Sequence, residues 1–269
     1  MSNKIGIGVI TCNRPAYLTD LLNSLNTVAG NINSVIIVDD GDKPSVDRSI
    51  ANWYVHKTTG RIGVGRSKNI ALNYLLKEGN DYIFLLEDDI VIKDNNVFQK
   101  YIEASKLSGI QHFNFAFHGN DNYLPNGAPA ERLRVEYSKD VAVCFYPNVY
   151  GAFSFYTKEC LETVGLMDEE YYNAVEHIDH TYDVYLKGMT TPFRWFADIA
   201  NSEQYIEELD RNHEQSTIRK DQSWILNFHK AADRFKQKHN IDIRNPHEKQ
   251  ATRQEVLDCV KEIRKRHKK

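Results

Sequence analysis

Four cysteines in 269 residues, Cys12, Cys144, Cys160 and Cys259, form no CxxC pair and no dense framework. That scarcity excludes a small disulfide scaffold and a thiolate zinc ribbon, and it fits reduced thiols in a cytoplasmic protein. Long hydrophobic runs are missing as well, and nothing approaches the roughly 20 apolar residues of a membrane-spanning helix. The short strand-like run after Lys4 lacks the pattern of a signal peptide, so no secretory leader is expected. A strong excess of one charge is absent too, the formal net charge being -3, which argues against a surface that binds nucleic acid non-specifically. There is no internal repeat and no low-complexity linker. The length and apolar content suit one large α/β domain with an appended piece.

What the chain does contain is a series of strand-like runs that end in polar residues. Residues 4–10 run into Thr11-Cys12-Asn13-Arg14-Pro15, after which Tyr17, Leu18, Leu21, Leu22 and Leu25 recur at helical spacing. Pro15 suits the first turn of that helix, where its missing N–H would have no partner anyway. Residues 34–38 form a second run, ending in Asp39-Asp40-Gly41-Asp42. Gly60-Arg61-Ile62-Gly63-Val64-Gly65-Arg66-Ser67-Lys68-Asn69 then leads into a helix over residues 70–76. The run Tyr82-Ile83-Phe84-Leu85-Leu86 reads as a buried strand that opens onto Glu87-Asp88-Asp89. Three adjacent carboxylates at the mouth of a buried strand repel one another unless a cation lies between them, and hard oxygen ligands suit Mn²⁺ or Mg²⁺. Alternation of this kind predicts a mostly parallel sheet with a polar ligand site along its carboxyl edge.

In this order the motifs resemble the nucleotide-diphosphosugar transferases of the GT-A fold, and among them glycosyltransferase family 2, over about residues 4 to 190. The resemblance implies a Rossmann-like α/β sheet flanked by helices, with a C-terminal helical extension. It also implies an inverting enzyme that uses a divalent metal to move a sugar from a nucleotide donor to an acceptor hydroxyl, with UDP the favoured nucleotide. Carried over by position, Thr11, Asn13 and Arg14 would line the nucleotide pocket, and Asp39 or Asp40 would accept from the base or the ribose. Lys68 and Asn69 stand where the family usually has Arg-Asn. Lysine keeps the charge but loses the bidentate fork, so Arg66 is expected to share the phosphate contacts. The acidic triplet takes the place of the family's DXD motif, with Asp89 the direct metal ligand and Asp88 at the ribose or a metal-bound water.

A second constellation, Glu176-His177-Ile178-Asp179-His180, follows Gly165-Leu166-Met167-Asp168-Glu169. It resembles the acceptor-side motif Glu-Asp-x-Asp, except that His177 stands where the family has its catalytic aspartate. An acceptor hydroxyl must lose its proton as it attacks, so a base is required. Glu176, His177 and Asp179 are the candidates, with a carboxylate slightly favoured; on a helix Glu176 and Asp179 share a face. The His177/His180 spacing also suits a metal pair, yet no cysteine cluster or His-Glu-x-x-His pattern supports zinc. His213 is a further candidate for the metal shell.

The region from 109 to 155 reads as strands over residues 111–117, 132–137 and 141–145, with a turn-rich loop from Gly119 to Gly127 expected to overhang the site. Gly151-Ala152-Phe153-Ser154 would let a sugar approach the backbone closely, or mark a bulge. Helices are expected over residues 216–238 and 252–268, interrupted at Pro246, and the strongly basic end over residues 261–269 reads as a solvated helix terminus, with contact to anionic lipid or a nucleic-acid phosphate as the alternative. The expected organisation is a domain over 1–200, with a nucleotide-sugar half (about 1–92) and an acceptor half (about 93–200), followed by a helical extension over 201–269. A glycan is the favoured acceptor; hydroxymethylated DNA is an alternative. A processive synthase with its own channel is not expected. A non-catalytic nucleotide- or sugar-binding module and a nucleotidyltransferase are the other classes, the latter disfavoured because Thr11-Cys12-Asn13-Arg14-Pro15 replaces the glycine-rich loop it needs after the first strand.

Overall fold

The computed structural model describes residues 3–27, 32–46, 53–94, 96–245, 247–248 and 250–267. Its elements run β1 (Ile5–Thr11), α1 (Pro15–Asn26), β2 (Ser34–Asp39), β3 (Tyr54–Lys57), α2 (Val64–Lys77), β4 (Tyr82–Glu87), β5 (Ile90–Ile92), α3 (Val97–Ser108) and β6 (His112–Asn114). They continue with β7 (Leu133–Glu136), β8 (Ala142–Tyr146), β9 (Phe153–Thr157), α4 (Lys158–Val164), α5 (Glu176–Leu186), β10 (Phe196–Ile199), β11 (Ile206–Glu208), α6 (Trp224–His239) and α7 (Arg253–His267).

Among the described residues the main sheet has six strands in the order β3-β2-β1-β4-β9-β6. The first four are parallel, with Thr11 opposite Asp39 and Ile10 opposite Glu87, so their carboxyl ends form one polar edge. β9 joins β4 antiparallel and β6 joins β9 antiparallel, which makes the sheet mixed on its acceptor side. β1 is buried along its whole length because helices cover both faces of the sheet. Leu18, Leu21, Leu22 and Leu25 of α1 pack on one face, where α3 and α7 also lie. Ala71, Leu72 and Leu75 of α2 pack on the other, together with Cys160 and Leu161 of α4 and Val184 of α5. All four cysteines are free thiols. Among the described residues no helix is long and apolar enough to cross a membrane.

Pro15 opens α1 as the spacing predicts. α2, in contrast, starts at Val64 rather than Ile70, so Arg66, Lys68 and Asn69 lie on a helix and point in different directions. Gly63 makes the entry possible. Its φ is 94°, and a Cβ there would fall 2.4 Å from the Tyr172 carbonyl oxygen. The strand expected over 111–117 pairs only as far as Asn114. Phe115 and Phe117 stay buried, while the Ala116 N–H leaves the ladder and donates to the Asp198 carboxylate at 2.8 Å.

The helix expected from residue 216 begins at Trp224, after a series of turns, and ends where Asn240 adopts a left-handed conformation, φ 53°. That residue, rather than Pro246, stops the helix; Pro246, Lys268 and Lys269 lie outside the described residues. Four short strands were not anticipated, β3, β5, β10 and β11: β3 pairs with β2, β10 with β8, and β11 with β5 beside the acidic triplet.

The last helix is no appendage. Val256, Val260 and Ile263 of α7 belong to the same buried cluster as Ile7 and Val9 of β1. Ile263→Ala is therefore expected to lower the stability of the whole chain by about 2–5 kcal/mol. Denaturant unfolding followed by fluorescence and by circular dichroism should show one shifted transition; a loss confined to a minor early transition would make α7 a separate unit.

Candidate active site

The turn between β4 and β5 places two carboxylates at the polar edge. Asp88 is fully buried, accepts a 2.6 Å hydrogen bond from Thr11 Oγ1, and pairs with the Arg14 guanidinium. Asp89 takes the other end of that guanidinium, Nη1 to Oδ2 at 2.8 Å, while its Oδ1 is buried without a hydrogen-bond partner. Beside it lie His118 and Glu208, hydrogen-bonded to each other. Ligand atoms of Asp89, His118 and Glu208 all fall within 4.8 Å of one another. Burial opposes a charge on Asp89, but His118 and Arg14 outweigh it and hold the carboxyl below its ordinary range. Burial likewise opposes a proton on His118, yet Asp89 and Glu208 raise its pKa to about 9. One imidazole and two carboxylates with an unused oxygen suit Mn²⁺ or Mg²⁺, and a divalent ion there would take over the role of that proton. Asp88, turned toward Thr11 and Arg14, is not part of this group.

β11 explains how Glu208 arrives. Its pairing sets Glu208 opposite Ile90, and the Leu209 N–H donates to the Asp89 carbonyl at 2.8 Å. His213, read as a metal candidate, stands with its ring centroid 5.1 Å from that of His118.

Beside the acidic turn, a narrow cavity of about 50 Å³ is lined by Thr11, Arg14, Asp40, Arg61 and Tyr172, among others. Asp40 accepts from the backbone N–H of Ile62 and Gly63 at 2.8 and 2.9 Å, which ties down the loop entering α2. Asp39 turns to its own loop, accepting from the N–H of Gly41 and Ser45. Asn13 exchanges two 2.8 Å hydrogen bonds with Asp42. Thr11, Arg14 and Asp40 thus line the cavity, whereas Asn13 and Asp39 do not.

The helical register of α2 separates the three residues expected at the donor. Arg66 is half exposed, near Glu169 at 3.7 Å. The Asn69 side chain donates to the Met167 carbonyl and accepts from its N–H, at 2.8 and 2.9 Å. Lys68 is fully buried and lies 2.7 Å from Glu87 and 3.0 Å from Glu176. Burial works against the Lys68 charge, but the two carboxylates outweigh it and push the ammonium pKa above its ordinary value.

A larger cavity of about 320 Å³ is lined by Asp89, His118 and His213 together with Glu176, His177 and Ile178. Burial disfavours ionised Glu176, yet Lys68 and His177 hold it well below the usual carboxylate range. His177 Nδ1 lies 3.1 Å from Glu176 Oε1. Asp179 shares the buried face with Glu176, as the spacing predicts, but does not line this cavity. It accepts from Tyr171 at 3.0 Å and from Lys238 and His239 at 2.7 Å, so it anchors α6 to α5.

His118, Glu208 and the Lys68 pairing with Glu87 escaped the sequence reading. His118 carried a usable signal, being the polar residue that follows Phe115-Ala116-Phe117, as Glu87 follows the run ending at Leu86. Glu208 carried none, since only the β11–β5 pairing brings it near.

The profile of Glycosyl transferase family 2 matches residues 7–164, more than half of the chain. No curated protein sequence matches. The structure of GalNAc-T7 with UDP, GalNAc and Mn²⁺ aligns with a TM-score of 0.52 at 14% identity, covering 68% of this chain and 40% of that one. TarS from S. aureus aligns with a TM-score of 0.49 at 18% identity, over 68% of this chain and 33% of its own. A mannosyltransferase, PcManGT from Pyrobaculum calidifontis, in complex with GDP-Man and Mn²⁺, gives 0.47 at 11%, over 73% and 54%. The chain thus spans between about a third and just over half of the solved structures it matches. Family profile and the GalNAc-T7 likeness together identify the mixed sheet and its helices as the GT-A fold.

Removing one partner of a buried ion pair leaves uncompensated charge. Lys68→Met is expected to destabilise the protein by about 3–5 kcal/mol, equally with and without UDP. Urea denaturation in both conditions checks this; a loss seen only in the presence of UDP would place Lys68 at the donor instead.

Proposed function

This chain belongs to glycosyl transferase family 2, and on that basis we propose that it is an inverting, metal-dependent glycosyltransferase moving a sugar from a nucleoside-diphosphate sugar, with UDP the favoured nucleotide, to a hydroxyl on a glycan. The observation that carries this reading is one cavity lined both by Asp89 and His118, which with Glu208 form a carboxylate–imidazole group, and by Glu176 with His177. A donor diphosphate and an acceptor hydroxyl need those two chemistries on opposite sides of the anomeric carbon.

Asp89, His118 and Glu208 would hold Mn²⁺ or Mg²⁺, with His213 next to them. When bound, such an ion supplies positive charge to the leaving diphosphate. Arg14 bridges the two aspartates and lines both cavities, so its guanidinium stands ready for the same charge. Thr11 and Asp40 would meet the nucleotide in the narrow cavity, with Asp88 behind them. Arg66 and Asn69 act on this reading through the loop and helix they support. A base from the segment Glu176, His177 and Asp179 removes the acceptor proton from the face opposite the diphosphate, which produces inversion. Residues 1–200 form the catalytic domain and 201–269 an extension that completes it by supplying Glu208 and His213, and the reaction takes place in the cytoplasm.

Asp89→Asn and Glu208→Gln are expected to reduce Mn²⁺-dependent UDP binding about tenfold or more, because each removes a ligand charge and little volume. Titration calorimetry with UDP, with and without Mn²⁺, tests the assignment. Unchanged Mn²⁺-dependent affinity in both variants would refute the metal group. A parallel turnover screen with UDP-, GDP-, CMP- and dTDP-sugars separates an enzyme from a binding module, which would bind without releasing nucleotide.

A further inference from the structure

The hydrogen-bond pattern around Glu176 distinguishes the three candidate bases. Glu176 Oε1 faces Lys68 Nζ at 3.0 Å and His177 Nδ1 at 3.1 Å. Held ionised by Lys68, the carboxylate can only accept hydrogen bonds, so Nδ1 must carry the imidazole proton. A neutral imidazole has one N–H, which leaves Nε2 with its lone pair. Nε2 has no hydrogen-bond partner among the described residues, and His177 lines the same cavity as Asp89. Gly151 permits this placement. A Cβ at that position would lie 2.6 Å from Lys68 Nζ and 3.2 Å from both Glu87 Oε1 and His177 Cγ.

We propose that His177 Nε2 is the catalytic base and that Glu176, held in place by Lys68, orients the ring and stabilises the imidazolium that forms. The proposal rests on the transferase reading above and deepens it. The acceptor O–H proton passes to Nε2 as the oxygen lone pair bonds to the anomeric carbon. The bond from that carbon to the diphosphate oxygen breaks, and its electron pair leaves with the nucleotide. The imidazolium then returns its proton to water.

Neither carboxylate competes well. Glu176 is pressed far toward its ionised form by Lys68 and has little affinity for a proton. Asp179 is already committed to Tyr171, Lys238 and His239. The groups facing His177 are Glu176 on its own helix, Lys68 from α2, Glu87 at the end of β4 and His112 from β6. Of these, Glu176 alone bonds to its ring.

The test uses the full chain and hydrolysis of whichever UDP-sugar the wild type turns over. His177→Ala should lower turnover by about 10²–10⁴-fold, with Mn²⁺-dependent UDP affinity unchanged, and added imidazole should restore a substantial part of the rate. A wild-type rate in His177→Ala, or a lost rate that imidazole does not restore while Asp179→Asn is equally impaired, would overturn the assignment. Tautomer state, read by ¹⁵N NMR on the unliganded protein, is independent of any donor. A proton on Nδ1 is expected, and one on Nε2 refutes the proposal whether or not the transferase reading holds. Failure of the wild type to bind or cleave any nucleotide sugar would count against that reading alone.

Discussion

The buried ammonium of Lys68 is the constraint on which the site's geometry depends. It comes from α2, yet its two partners come from the end of β4 and the start of α5, so a single charge ties β4 to α5. Buried ion pairs add little net stability, because desolvation offsets most of the attraction, but they restrict the arrangement severely once formed. Here Glu87 directly precedes Asp88 and Asp89, and Glu176 directly precedes His177. Fixing the two glutamates therefore fixes the distance between the two chemistries that line the cavity.

A second set of charges closes the metal side. Arg14 spans Asp88 and Asp89, and His118 with Glu208 completes a pocket in which every group is partly neutralised before any ion enters. Such a pocket is preorganised: it stays folded with protons and a guanidinium as counter-charges, part of which a divalent ion would replace on the proposed reading. The extension contributes twice, through β11 beside Asp89 and through Lys238 and His239 on Asp179. With α7 buried in the main core, residues beyond 200 complete the site as much as they cover it.

Much of the framework was legible in the chain because its signals are local. Pro15 marks a helix start, the apolar runs mark buried strands, and the polar residues after β1, β2 and β4 mark the ligand edge. Boundaries failed where a local rule was overridden. Glycines in 60–65 read as loop, yet α2 begins at Val64 because Gly63 supplies the required turn; the run 111–117 read as one strand, yet Asp198 captures the backbone at Ala116.

Sequence alone determined the order of elements, the polar carboxyl edge and the presence of acidic and histidine groups near it, since periodicity and turn chemistry act over a few residues. Only the tertiary structure decided what those groups face. The register of α2 turns Lys68 inward and Arg66 outward. Antiparallel pairing carries Glu208 across more than a hundred residues to Asp89, and the packing of α6 withdraws Asp179 from the cavity. Long-range pairing and burial are set by the whole fold, so the same residue types at the same spacing can become a ligand, a structural ion pair or a helix anchor according to what packs against them.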